Sequence, residues 1–228
     1  MSESNIISHY CERTAAGLWN EPLNALTNLA FVLAAVLAWR LYRRNRQIPH
    51  KAGADFVILI ILLFCIATGS TLWHTLARPW AELADSIPIL LFISIYLVSF
   101  LWRILHINTA FIVLIFALFQ LLNNATIFLL PRNVLNGSLF YVPTWLTLLI
   151  FTLVLAHAQH PAAKTFISAT VLFSTALVFR SIDQAVCGVV PVGTHFVWHL
   201  LIAMVLYLVF SCLIRYSGSN HRHVTQRE

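Results

Sequence analysis

Ser70 and His74 stand four residues apart in Gly69-Ser70-Thr71-Leu72-Trp73-His74, and Asp85 follows eleven residues after His74. His195 and His199 are again four apart, in Gly193-Thr194-His195-Phe196-Val197-Trp198-His199. Residues at i and i+4 share one helix face, so each motif aims a pair of polar groups in one direction. A catalytic zinc site commonly takes three protein ligands and keeps a position for water, with histidine a preferred ligand. His74, His195 and His199 can supply that set. The metal would activate water and polarise a carbonyl. Asp85 would orient the water or pass its proton to a leaving amine, and Ser70 would hydrogen-bond the developing oxyanion. The chemistry is metal-assisted hydrolysis of an acyl bond. A lone histidine in an apolar run is more often a packed, hydrogen-bonded group than a ligand. The combination at one depth is what points to metal.

These residues sit in a chain of 228 residues that is 60% hydrophobic and 10% charged, against about 25% charged for a soluble domain. Apolar stretches run over 23–42, 54–77, 87–105, 110–130, 139–157, 162–180 and 194–214, each near the roughly 20 residues a helix needs to cross a bilayer. The expected fold is an all-α membrane protein, a seven-transmembrane helix bundle with short loops. Residues 1–22 form an N-terminal cap, 23–214 the helical domain and 215–228 a polar tail. Nothing before Leu23 reads as a cleavable signal, which needs a basic start and a short apolar core. Ten of the fourteen Lys and Arg residues fall on the side of the 43–53 loop and the C-terminus, so the N-terminus is expected outside and the C-terminus inside. The net charge of +6 suits anionic lipid at a cytoplasmic rim and calls for no nucleic acid. With that threading, Ser70, His74, Asp85, His195 and His199 all come to one depth toward the outer leaflet. Polar groups at such depth are costly and face a protein interior or a cavity.

Other residues read as follows. Asn24 and Asn28 share an inward face of the first helix. Pro88 suits the first turn of the third helix, after an outer turn at 78–86 containing an exposed Glu82. Glu12 and Glu21 flank a short turn where carbonyls could add ligands for calcium; a solvated acidic cap is the favoured reading. Arg180 and Asp183 read as a structural pair, and Arg103 as a residue reaching to the interface. Cys65 and Cys212 read as buried small hydrophobes. Cys11 and Cys187 share the outer side, where either a disulfide or two free thiols is consistent with the sequence. Histidines 9, 50, 106, 157, 160, 221 and 223 fall in loops or tails and read as solvated or interfacial.

The motifs at 69–74, 85 and 193–199, with Tyr10-Cys11-Glu12 and the run Trp19-Asn20-Glu21-Pro22-Leu23-Asn24-Ala25-Leu26-Thr27-Asn28, resemble those of the alkaline ceramidases. These are seven-helix membrane hydrolases related to the adiponectin and progestin receptor-like proteins, and the form of the 193–199 motif is similar to the bacterial branch. The resemblance implies that His74, His195 and His199 hold zinc, that Asp85 positions and deprotonates the attacking water, and that Ser70 stabilises the oxyanion. It implies cleavage of the amide of a ceramide-like N-acyl lipid to a fatty acid and a long-chain amine base, in a bacterial inner membrane. It also implies a Cys11–Cys187 bridge. Animal members carry an N-terminal calcium site; here Glu12 and Glu21 match it, whereas His9 and Thr14 depart from it.

The substrate is expected to enter sideways from the bilayer into an apolar cavity between helices. The oligomeric state is not written in the sequence. The rival readings are a non-enzymatic seven-helix receptor or sensor with a structural zinc site, a haem or quinone protein with histidine ligands, and a proton-coupled transporter. Intact Ser70 and Asp85 favour hydrolysis.

Overall fold

A computed structural model describes residues 9–15, 17–48, 51–131 and 134–217. The tail from 218 onward, together with Arg132, Asn133 and His50, lies outside the described residues. The chain folds as α1 (Pro22–Thr27), α2 (Leu29–Asn45), α3 (Ala54–Leu76), α4 (Pro79–Arg103), α5 (Thr109–Leu129), α6 (Val142–His157), α7 (Ala163–Ile182) and α8 (His195–Tyr216). Among the described residues seven spans are long and apolar enough to cross a membrane, α1 and α2 together making the first. No strand occurs among the described residues.

Burial ranks the helices. Among the spans, α3 is 56% and α8 61% buried, whereas α5 is only 17% buried. The two helices that carry the histidines are therefore the centre of the bundle. Outward faces are apolar, with Phe111, Leu114, Leu118, Leu121 and Phe128 exposed along α5. Hydrocarbon accepts such faces, and water would drive them together. The core between helices is aromatic and aliphatic: Phe100 stacks on Phe151 with centroids 4.4 Å apart, and Phe166 and Phe210 are fully buried.

The α3–α4 hairpin is tighter than its hydropathy suggests. Ala77 ends α3 in the left-handed region, Arg78 is extended, and Pro79 opens α4. Proline suits a first turn because its missing N–H would be unpaired there anyway. The segment 78–86 is thus helical from Pro79 onward, and Pro88 lies inside α4 rather than at its start. Polar Arg78, Glu82 and Asp85 lower the hydropathy of the first turns, which hides the helix start. Gly69 lets the two helices close: a Cβ there would collide with the backbone carbonyl of Ala84 and lie 3.0 Å from the Asp85 Cα. Small residues at such crossings allow close backbone approach.

At the far end of the hairpin, Arg103 is not a free interfacial cation. Its Nε and Nη2 each donate to Asp55 at 2.7 Å, and its guanidinium lies 4.6 Å over the Phe56 ring. His160 also departs from its solvated reading, being 5% exposed with Nδ1 accepting from the Ala162 N–H. Cys212 is buried, but Cys65 is exposed. It lines an open apolar groove of about 480 Å³ between α3 and α4, with Phe64, Thr68, Gly69, Leu72 and Ala84.

Candidate metal centre

The last turns of α3 and the first turns of α8 meet at one end of the bundle. His74, His195 and His199 are each no more than 2% exposed, and each offers a ring nitrogen within 4.8 Å of the others. His74 Nε2 and His199 Nε2 face each other at 3.1 Å. His195 Nδ1 is buried without a hydrogen-bond partner. An orphaned buried nitrogen beside two converging ones is costly unless a further ligand completes it. The cluster is compatible with a metal ion.

Local chemistry fixes each histidine. Gly193 adopts a φ of +68°, and a Cβ there would lie 2.9 Å from the Cys11 Cβ and strike Asp183. That turn lets Asp183 Oδ1 accept the N–H groups of Thr194 and His195, at 2.6 and 2.9 Å. These are among the N–H groups that a helix start leaves unpaired, so Asp183 caps α8. Its Oδ2 accepts from the Cys11 N–H at 3.2 Å. Asp183 therefore does not pair with Arg180, contrary to the sequence expectation. Cys11 and Cys187 are joined as a disulfide with Cα atoms 5.2 Å apart, which ties the N-terminal segment to the entry of α8.

On α8, His199 Nδ1 lies 2.9 Å from Thr27 Oγ1. The Thr27 hydroxyl can donate to the Leu23 carbonyl at 2.8 Å, leaving its lone pair for a His199 Nδ1–H. On α3, His74 Nδ1 is in hydrogen-bond contact with Glu21 Oε2. Both contacts turn the Nε2 atoms toward the shared point. Outer partners of this kind orient metal-ligating histidines. His195 is sandwiched differently: Tyr10 stacks on its ring with centroids 3.9 Å apart, and the Trp73 indole N–H donates to the Tyr10 hydroxyl at 3.5 Å.

Glu21 is 2% exposed and touches Arg13 as well as His74. Burial pushes its carboxyl up, but the hydrogen bonds and charges of His74 and Arg13 outweigh this and hold it below the ordinary value. Glu12 accepts the N–H groups of Leu23 and Asn24, at 2.6 and 2.9 Å, at the start of α1. Glu21 is thus buried rather than solvated, whereas Glu12 is half-buried and serves as an acidic cap on the first N–H groups of α1. The Arg13 guanidinium sits on Glu21.

Asp85 reaches the site from α4. Among the described residues its Oδ1 is buried with no partner, and the buried Ser70 follows Gly69, whose Cβ position lies 3.0 Å from the Asp85 Cα. The tight crossing at Gly69 brings this part of α3 against the first turns of α4. The sequence suggests Arg180 only as a structural partner of Asp183. Its guanidinium lies 5.3 Å over the rings of both Tyr141 and Trp198. Among the described residues its Nε is buried without a hydrogen-bond partner. A cation inside an apolar helix was the available signal. Tyr10, Arg13, Glu21 and Thr27 gave less, because each sits far in sequence from the group it serves.

A family model for ceramidases matches residues 7–227. The chain belongs to the ceramidase family. No curated protein matches the chain. Membership in the ceramidase family implies an amidohydrolase acting on a lipid, in keeping with a bundle embedded in the membrane. It also accounts for the motifs at both ends of the chain, since the match takes in the N-terminal segment as well as α8.

Proposed function

We propose that this ceramidase-family chain is a zinc-dependent intramembrane hydrolase. Its substrate is a ceramide-like N-acyl lipid, cleaved at the amide to a fatty acid and a long-chain amine base. The observation that carries the reading is the cluster of three buried histidine nitrogens beside an unpartnered Asp85 oxygen. Zinc–nitrogen bonds of about 2.0–2.1 Å in tetrahedral geometry put neighbouring nitrogens roughly 3.4 Å apart. The His74–His199 separation of 3.1 Å is close to that.

His74, His195 and His199 would hold the ion. When bound, zinc supplies Lewis-acid polarisation of a carbonyl and lowers the pKa of water. The remaining work falls to the chain. The free Asp85 Oδ1 accepts a proton from the attacking water, and the carboxyl returns it to the departing amine nitrogen. Ser70 donates a hydrogen bond to the oxyanion as the carbonyl becomes tetrahedral. Arg180 adds a positive charge held over Tyr141 and Trp198, which would favour negative charge as it develops. Low-dielectric surroundings strengthen both effects.

The substrate's chains belong in the bilayer, so lateral entry is the natural route. The groove beside Gly69 is apolar and opens between α3 and α4, which suits an acyl chain. The site lies at the end of the bundle opposite most of the basic residues, which supports an outer-leaflet placement in a bacterial inner membrane. A receptor that keeps zinc only for structure would close the metal with ligands; the presence of both a proton carrier, Asp85, and a hydroxyl donor, Ser70, supports hydrolysis instead.

The deciding experiment measures zinc per chain in the purified protein and in His74→Ala, with release of fatty acid from a series of N-acyl lipids. About one zinc per chain, lost with turnover in the variant, is expected. Full zinc occupancy in His74→Ala removes that ligand, and a zinc-loaded wild type that cleaves no N-acyl lipid overturns the hydrolase reading.

A further inference from the structure

Arg13 is an unusual residue to find beside this cluster. It is 5% exposed, and an arginine taken out of water carries a large desolvation cost that only fixed acceptors offset. Its acceptors come from separate parts of the fold. Nε donates to Glu21 Oε1, Nη1 donates to the Gly17 carbonyl at 3.2 Å, and Nη2 donates to the main-chain carbonyl of His74 at 2.9 Å. Glu21 Oε2 in turn meets His74 Nδ1. Arg13 therefore grips His74 at both ends, directly through its backbone and through Glu21 on its imidazole.

A carboxylate and backbone carbonyls converging on one positive charge is also the donor pattern that hard divalent cations use. Here a guanidinium occupies the middle of it. The other nearby carboxylate, Glu12, is taken up by the N–H groups of α1. We infer that Arg13 is the built-in cation of the N-terminal segment and a positioning residue for His74. It fixes the Glu21–imidazole contact without any soluble divalent ion. The fork geometry matters as much as the charge, because the three acceptors are met by three separate nitrogens of the planar guanidinium, whereas an ammonium projects its three donors from one nitrogen. The metal part of this inference rests on the reading of His74 as a ligand; the cation-independence of the segment does not.

The test uses the full chain in detergent, as wild type, Arg13→Met and Arg13→Lys. Thermal unfolding is measured in excess calcium and in excess of a calcium-selective chelator. Zinc retention is measured against a graded zinc chelator, and the absorption bands of the cobalt-substituted protein report the ligand field. Wild type is expected to melt at the same temperature with calcium or without it. Arg13→Met should melt lower and release zinc about 10–100-fold more readily, the usual effect of losing an outer partner. Arg13→Lys, which keeps the charge and is the milder change if Arg13→Met fails to fold, should fall between the two and shift the cobalt bands. Calcium raising the wild-type melting temperature overturns the inference. Zinc retention and cobalt bands in Arg13→Lys identical to wild type also overturn it, since Arg13 would then be mere scaffold. A wild type that holds no zinc fails the metal reading alone; calcium indifference and the lower melting of Arg13→Met still decide the role of Arg13.

Discussion

Thr27 Oγ1 stands 2.9 Å from His199 Nδ1, so a hydroxyl at the end of the short α1 sets the ring of a histidine on α8. At the other end of α1, its N-cap Glu21 meets His74 Nδ1. Two of the three clustered histidines are thus oriented from the short α1 and its N-cap. Thr27→Val keeps the shape and removes the acceptor. Zinc affinity is expected to fall about 10–100-fold, with helix content by circular dichroism unchanged. A competition titration with a chelator reads the change, and unaltered affinity would mean that packing alone orients His199.

Asp85→Asn separates binding from chemistry. Asparagine retains the size of the side chain but cannot take a proton from water, and general acid–base groups contribute about 10²–10⁴ in rate. The variant should hold as much zinc as wild type and lose turnover by that order. Single-turnover assays on zinc-loaded protein measure it. Turnover near the wild-type rate would assign the proton to another group.

Gly69→Val tests the crossing that brings this part of α3 against the first turns of α4. The added Cβ would meet the Ala84 carbonyl of α4, and the helices must separate to admit it. Overpacking of this kind typically costs about 1–3 kcal/mol. A lower melting temperature and a large loss of turnover are expected, with zinc retained, because none of the histidines is on α4. Elemental analysis beside a turnover assay distinguishes this from general unfolding.

Much of this architecture is legible in the sequence, and the reasons are physical. Seven apolar runs of near-spanning length announce the bundle, since no other fold hides so much hydrocarbon. Paired polar residues at helical spacing announce the histidines. The start of α4 is hidden because Arg78, Glu82 and Asp85 interrupt hydropathy while Pro79 starts the helix. Asp183 looked like a partner for Arg180 by proximity, yet its oxygens serve backbone N–H groups 11, 12 and 172 residues away. Arg13 likewise meets His74 across 61 residues, and no local pattern encodes such a meeting. Arg180 could have been found: it is a cation in an apolar run, the same criterion that singled out the histidines.

Asp183→Ala should expose how the entry of α8 is built. It leaves the Thr194 and His195 N–H groups and that of Cys11 without their acceptor. Losing a helix cap costs about 0.5–2 kcal/mol, and unpaired buried donors add to it. The variant should melt lower, and Cys11 should become easier to reduce, because the Asp183 contact no longer holds it against Cys187. Thiol labelling after mild reduction checks this; a disulfide as resistant as in wild type would show that the capping contact is dispensable for the bridge.

Arg180→Met asks whether the guanidinium contributes to the reaction or only to packing. Its aromatic neighbours, Tyr141 and Trp198, hold the side chain from two sides, and methionine can fill much of that space without the charge. A fixed charge near a developing oxyanion stabilises the transition state more than the neutral substrate, so its loss acts on kcat more than on KM. Removing one oxyanion-stabilising group typically costs about 10²–10³ in kcat. Arg180→Met should show a loss of that order with KM little changed and zinc content intact. Arg180→Lys should recover part of the rate, since it restores charge but not the planar contact with both rings. An unchanged kcat in Arg180→Met, with normal melting behaviour, would make Arg180 a packing residue and leave Ser70 as the group that meets the oxyanion.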